Sequence, residues 1–272
     1  VSLRVFPRRT NATPIDADTR IGYPGLFDEA DRVEISVAFT WDLPAAERIA
    51  HAWSAVCSDV VIGGPATGQP GAEFTPGRYL KLGYVITSRG CPNRCWFCSV
   101  WRREGQQVRE LHIKDGWNVL DDNLLACSED HIRAVFAMLQ RQTEPVRLTG
   151  GLEAARLEPW HVDLLAALKP KAAYFAYDTP EDLEPLIRAG RMLREVFAPT
   201  LHSLAAYVLV GYVGDTQEAA EERMATVYAH GFWPMAMLWR DERGQASLDW
   251  SRFARTWARP AATAARIKAI TQ

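Results

Sequence analysis

The sequence has little cysteine: five residues in 272, an odd number. So small a complement excludes a disulfide-stapled secreted scaffold. Neither sign of charge is in excess, with 31 Lys and Arg against 33 Asp and Glu and a formal net charge of −2. No broad polybasic surface for nucleic acid is announced, although a neutral total leaves room for a local patch. No uninterrupted apolar run approaches the roughly 20 residues that span a bilayer. The opening VSLRVFPRRTNATPIDADTR is basic and polar with no long apolar stretch behind it, so no signal peptide is read there. A cytoplasmic, non-membrane protein is the expectation. The six histidines fall in no metal-ligand spacing, and His112, His131 and His161 read as structural. Neither a dinucleotide glycine pattern nor the GKS/T of a phosphate loop is present. What the chain does have is 48% hydrophobic and 24% charged residues, enough for a sizeable core and too apolar for disorder. Its ten tryptophans are spread out, and most read as core or rim packing rather than a base-stacking ladder.

The chain reads in three parts: an N-terminal cap over 1–78, a core over 79–240 and a helical extension over 241–272. Residues 1–30 look irregular, with turn signals at Pro7, Pro14 and Tyr23-Pro24-Gly25. A strand at 33–39, a helix at 43–56 and a strand at 59–62 form a small α/β unit, followed by a Gly/Pro/Thr-rich connector over 65–78. From residue 79, strands are predicted at 83–88, 117–121, 146–149, 172–177, 205–212 and 232–239. Amphipathic stretches at 128–141, 159–168, 180–197 and 216–230 lie between most of them. Thr179 and Thr216 are placed to cap helices, and Gly231 to end one. This alternation predicts a parallel α/β architecture. Six strands suit an open, partial TIM-type (β/α)6 barrel with a short N-terminal α/β cap better than a closed eight-stranded one. Trp250 to Ile270 reads as helix, broken near Pro260.

Three of the five cysteines fall within eight positions: Cys91, Cys95 and Cys98, spaced C-x3-C-x2-C directly after a predicted strand. Thiolates are soft ligands suited to iron–sulfur clusters or zinc. A cubane cluster has four irons, so three ligands leave one iron open for chemistry, whereas structural sites close the ligand set. Gly90 lets the chain turn and Pro92 stiffens the loop. The competing reading is a zinc knuckle or a closed cluster with Cys57 or Cys127 as fourth ligand. Both of those cysteines read better as buried thiols.

The segment Cys91-Pro-Asn-Arg-Cys95-Trp-Phe97-Cys98 resembles the signature of the radical S-adenosylmethionine (SAM) superfamily, C-x3-C-x-aromatic-C, with Phe97 in the aromatic slot. The resemblance implies a [4Fe–4S] cluster on the three cysteines, with SAM chelating the open iron and the backbone beside Phe97 meeting adenine. It implies reductive cleavage of SAM to a 5′-deoxyadenosyl radical that abstracts a substrate hydrogen. A cellular reductant such as flavodoxin or ferredoxin would supply the electron. The substrate stays open among a small molecule, a nucleotide or DNA base, and a peptide.

Further motifs follow the strands. Thr149-Gly150-Gly151-Leu152-Glu153 resembles the family's glycine-rich segment for the SAM amino group. Leu152 interrupts the usual order, so Glu153 faces either SAM or substrate. An ordinary strand-to-helix turn is the plain alternative. Asn118-Val-Leu-Asp121-Asp122-Asn123 ends the second strand, as a pocket-facing carboxylate set or as a polar exit. Asp178 binds a ribose hydroxyl or a cationic group, or else caps the helix at Thr179. Val210 and Gly211 resemble the fifth-strand residues that pack on adenine. Arg240 either neutralises a ligand carboxylate or forms a surface salt bridge.

The cap resembles the tail of a cobalamin-binding domain through Val60-Val-Ile-Gly63-Gly64-Pro65, but it is too short for one and has no D-x-H-x-x-G segment. It reads as a degenerate remnant. A radical SAM enzyme is the first functional reading. The alternatives are a non-catalytic iron–sulfur regulatory or electron-transfer protein and a zinc-binding nucleic-acid module.

Overall fold

The computed structural model describes residues 1–196, 203–241 and 243–271. It divides into two compact units, Val1–Gly116 and Trp117–Gln272.

In the first unit, strands β1 (Ser2–Phe6), β2 (Thr19–Ile21), β3 (Arg32–Ser36) and β4 (Val60–Gly63) form a parallel sheet in the order β2-β1-β3-β4. Helix α1 (Leu43–Trp53) crosses between β3 and β4, with Pro44 in its first turn, where no intrahelical N–H is lost. Ala46, Ile49 and Trp53 lie on one helical face and meet Leu3, Val5, Val33 and Ile35 in a core that also buries Cys57. Each fully buried large apolar side chain there contributes about 1.5–3 kcal/mol. The expected strand–helix–strand unit is therefore present, but larger than its sequence suggested. Residues 1–30 are not irregular throughout, because β1 and β2 fall between the proline turns. β1 buries Leu3, Val5 and Phe6 around a half-buried Arg4, a strand alternation too short to stand out beside those turns. The unit continues through β5 (Tyr84–Val85), β6 (Ser88–Arg89), helix α2 (Val100–Arg103) and β7 (Arg109–Glu110). β6 and β7 pair antiparallel, with Ser88 opposite Glu110 and Arg89 opposite Arg109.

The second unit alternates β8 (Asn118–Val119), α3 (Glu129–Gln140), β9 (Arg147–Leu148), α4 (Pro159–Leu168), β10 (Ala172–Tyr177), α5 (Leu183–Val196), β11 (Leu204–Val210), α6 (Gln217–Ala229) and β12 (Trp233–Leu238). Its five strands are parallel, in the order β12-β11-β10-β9-β8. β11 is buried at six of its seven positions, the near-continuous apolar run of a strand covered on both faces. The caps fall where the sequence puts them. Thr216 Oγ1 accepts from Ala219 N at 3.2 Å, and Gly231 follows α6 with a φ of +91°. The C-terminal stretch breaks at Pro260 into α7 (Leu248–Trp257) and α8 (Pro260–Thr271), as read from the sequence.

All six expected barrel strands are present: β5 and β8–β12. The chain has the expected α/β architecture, a parallel sheet flanked by helices, with a β/α segment before it, consistent with an open partial barrel. Several strands are shorter than predicted, and the stretch 83–88 is split between β5 and β6. The helix expected over 180–197 begins as a 3-10 turn and continues as α5, while residue 197 lies outside the described residues. No helix among the described residues is long and apolar enough to cross a membrane.

Candidate functional site

In the first unit the cysteine loop leaves β6 and runs into α2. Gly90 opens it with a φ of +92°, and a Cβ there would stand 2.5 Å from Gln107 O, so only glycine fits this turn. Cys91 N donates to Gly105 O at 3.3 Å and Cys98 N to Cys95 O at 3.1 Å, which closes a turn across the last two cysteines. Trp101 Nε1 donates to Cys95 O at 3.1 Å, tying α2 back to the loop. Cys91, Cys95 and Cys98 are half-buried and free of disulfides. Phe97 is half-buried and packs edge-on against Trp96, with ring centroids 5.4 Å apart.

Three soft thiol donors on one short loop are the donor chemistry that a three-thiolate iron–sulfur site needs. Among the described residues, however, no group of three or more His, Cys, Asp or Glu side chains is gathered as a metal-holding set. The donor set fits such a cluster by its chemistry, not by preassembled geometry. Cys57 is a buried thiol whose Sγ lies 3.5 Å from Asp59 O, as expected of a bystander. Cys127 is half-buried at the end of a 3-10 turn in the second unit.

Sequence reading missed the group that braces this loop. Glu104, just past α2, has a side chain only 1% exposed. It accepts from Arg103 Nε at 2.9 Å, from Arg109 Nη2 at 2.8 Å and from Gly71 N at 3.0 Å, with Arg89 Nη1 at 3.8 Å. Burial alone would raise its pKa. The bonds from Arg103 and Gly71 N, with the nearby arginine charges, outweigh burial and hold the carboxyl below its ordinary value. One carboxylate thereby ties β6, α2, β7 and the connector around the cysteines. A lone Glu among arginines carries no spacing signal that could have revealed this.

In the second unit the predicted residues gather in part at the carboxyl ends of the strands. The exits of β8 and β9 meet: Asn123 Nδ2 donates to Glu153 Oε2 at 2.6 Å, and Arg156 Nε reaches the same oxygen at 2.7 Å. Thr149 Oγ1 donates to Asn118 Oδ1 at 2.6 Å. A Cβ on Gly150 would stand 2.3 Å from Asp121 O and 2.7 Å from Asp121 N, so this glycine lets the two strand exits pack backbone against backbone. Gly151 differs. Its φ is +105°, and a Cβ there would meet nothing within 4 Å. Asp121 is buried at 1% exposure.

At the end of β10, Asp178 does not cap the next helix. Thr179 is the N-cap, as read from the sequence, and Asp182 completes a capping box, its Oδ2 accepting from Thr179 N at 2.8 Å and from Asp178 N at 3.0 Å. Asp178 Oδ1 is buried without a hydrogen-bond partner. Burial first, and then the charge of Asp182, push its carboxyl up to about 7, while a bond from the Leu209 backbone opposes the rise. A carboxyl so held is about half protonated near pH 7, so both a hydrogen-bond donor and an acceptor form are populated there.

At the end of β11, Val210 is fully buried. Gly211 has a φ of +79°, and a Cβ there would stand 2.9 Å from the ring of Trp250. Gly211 N donates to Asp215 Oδ2 at 2.8 Å, and Asp215, buried at 1% side-chain exposure, pairs with Arg223 Nη2 at 2.9 Å. Gly211 is thus fixed by Asp215 below and an indole from α7 above, neither of which the sequence reading assigned. Arg240 Nη1 donates to Gly244 O at 3.0 Å, bracing the turn after β12. His161 is structural, as expected: its Nδ1 accepts from Glu158 N at 3.0 Å in the cap of α4. No protein-family model matches the chain, and no curated protein matches it.

Proposed function

We propose that this α/β protein is a radical SAM enzyme in which Cys91, Cys95 and Cys98 hold a [4Fe–4S] cluster. The observation that carries the reading is the C-x3-C-x-aromatic-C loop, with three thiols free of disulfides, directly after a strand. When bound and reduced, the cluster would supply one electron to the SAM sulfonium, giving methionine and a 5′-deoxyadenosyl radical that takes a substrate hydrogen. The chain's own work is to hold, orient and exclude water. In the first unit, Phe97 offers an aromatic edge and neighbouring backbone for adenine. In the second unit, Gly151, Glu153, Asp178, Val210 and Gly211 are the proposed contacts to SAM or substrate. Gly150 contributes there by letting the β9 exit pass Asp121. Asp178, with its carboxyl raised to about 7, is half protonated near neutral pH and can meet a hydroxyl partner as donor or acceptor. The electron donor is a reduced flavodoxin or ferredoxin.

A second reading has a specific observation behind it. Gly150 is accounted for by the close approach of the Asp121 backbone, and Glu153 is already engaged by Asn123 and Arg156. Those contacts suit an iron–sulfur protein that binds a cluster without turning over SAM. One assay separates the two. Anaerobically reconstituted protein given dithionite and SAM is expected to form 5′-deoxyadenosine, and Cys95→Ala to form none. A cluster-loaded wild type that neither binds SAM nor forms 5′-deoxyadenosine favours the non-catalytic protein.

A further inference from the structure

The near-neutral total conceals a local concentration of charge. Residues 88–110 contain five arginines and two glutamates, a net +3 in a chain whose net charge is −2. The structure sorts these arginines into two sets. Arg89, Arg103 and Arg109 converge on the buried Glu104, which neutralises one of their three charges. Arg94 and Arg102 are exposed, and among the described residues neither pairs with a carboxylate. Arg94 Nε donates to the neutral Gln106 Oε1 at 2.8 Å. The Arg102 guanidinium lies 4.7 Å from the centre of the Trp101 ring.

Aromatic rings are interleaved with these two cations. Trp101 is bonded through Nε1 to Cys95 O, so its indole is held beside the stretch Arg94-Cys95-Trp96. Trp96 is 52% exposed, an unusual surface position for so large an apolar ring, and it packs edge-on against Phe97. Two exposed guanidinium groups and two indoles therefore occupy one short loop-and-helix segment, stiffened from beneath by Glu104.

We infer that this segment, Arg94, Trp96, Trp101 and Arg102, is a binding surface for single-stranded nucleic acid. Guanidinium groups pair with phosphate, and indole faces stack on bases of any sequence. An acidic protein partner would satisfy the arginines but give the exposed Trp96 no stacking partner, so a strand with bases is the better match. The binding needs neither cluster nor SAM. That the bound strand is also the substrate rests on the enzyme reading above, and would narrow its substrate to a nucleotide in an unpaired strand.

The test is fluorescence anisotropy with the full-length chain and a labelled oligothymidylate of about 12 nucleotides, within the usual site size of such surfaces. Saturable binding that weakens steeply with salt is expected. Arg94→Ala combined with Arg102→Ala should weaken it about tenfold or more. The slope of log affinity against log salt should fall by about 1.4, two contacts at about 0.7 each. Neither arginine bonds to Glu104, so the double variant should keep the wild-type circular dichroism and melting temperature. Trp96→Ala should weaken binding about fivefold or more at constant salt slope, which an ion-pairing surface alone would not produce. No binding by folded wild type, or an unchanged affinity in both variants, would overturn the inference. So would equal competition by polyglutamate of matched charge, which would mark a surface for acidic proteins. Formation of 5′-deoxyadenosine is scored separately, so failure of either reading leaves the other standing.

Discussion

Asp178 shows how one side chain can carry opposed demands. Its Oδ1 is sealed from solvent with no donor to meet it, and the neighbouring Asp182 carboxylate is already committed to capping the chain at Thr179. The unfolded carboxyl ionises near 3.8 and the folded one near 7. Between those values the native state keeps a proton that the unfolded chain has lost. Stability therefore falls as pH rises from about 4 to 7 and stays lower above that, the reverse of a salt-bridged aspartate. Asp178→Asn imitates the neutral carboxyl and should remove this decline. The variant should match wild type near pH 4 and exceed it at pH 8 by an amount on the order of 4 kcal/mol, since each pKa unit is worth about 1.36 kcal/mol. Urea unfolding at both pH values reads the difference. A wild-type advantage at pH 8 would show that the carboxylate is stabilised where it stands. The sequence placed Asp178 at a strand end but could not choose between ligand and cap, because an aspartate just before Thr179-Pro180 suits either role until the backbone is seen.

At the scale of elements, legibility followed the length of the apolar pattern. Strands β10 and β11 were read within a residue or two because their apolar runs are long, whereas β6 and β7 are two residues each and carry no periodicity. What joins β6, α2 and β7 is electrostatic, not a hydrophobic stripe. Glu104 is a carboxylate that Arg89, Arg103 and Arg109 share. Removing one partner of a buried charge set leaves the others uncompensated, at a cost of about 3–5 kcal/mol. Glu104→Gln is therefore expected to destabilise the chain by an amount of that order in urea unfolding at pH 7. The pH dependence has the opposite sign from that of Asp178. A carboxyl held below its ordinary 4.5 contributes stability above that value and loses it as pH falls through the lowered one. The difference between wild type and Glu104→Gln should thus shrink on acidification below the ordinary 4.5. A gap unchanged between pH 7 and pH 3 would mean that packing, not charge, is what the variant loses.

At the scale of the molecule, the five cysteines were separable in the sequence and are separable in the fold, but by different properties. Spacing singled out Cys91, Cys95 and Cys98, while burial in the N-terminal core sets Cys57 apart. Spacing could not supply what braces the cysteine loop, since Gly71, Arg89, Glu104 and Arg109 are scattered over 39 positions of the chain. Nor could it settle Cys127, which is half-buried and so more accessible than an inert core thiol. The ligand count decides whether a bound cluster would keep an open iron, so it is also the sharpest test of the chemistry. Anaerobic reconstitution of wild type should load about four irons and as many sulfides per chain, the content of one cubane. Cys91→Ser, Cys95→Ser and Cys98→Ser should each lose most of the iron and the visible absorbance. Cys127→Ser should keep both, and Cys57→Ser should keep both while lowering the melting temperature, because it exchanges a packed thiol for a hydroxyl in an apolar core. Should Cys127→Ser lose iron as fully as Cys95→Ser, four thiolates would close the ligand set. No iron would then be free to take SAM, and the chain would be an electron carrier or sensor. Should Cys127→Ser stay fully loaded, the set is three, and an open iron is what three thiolates leave.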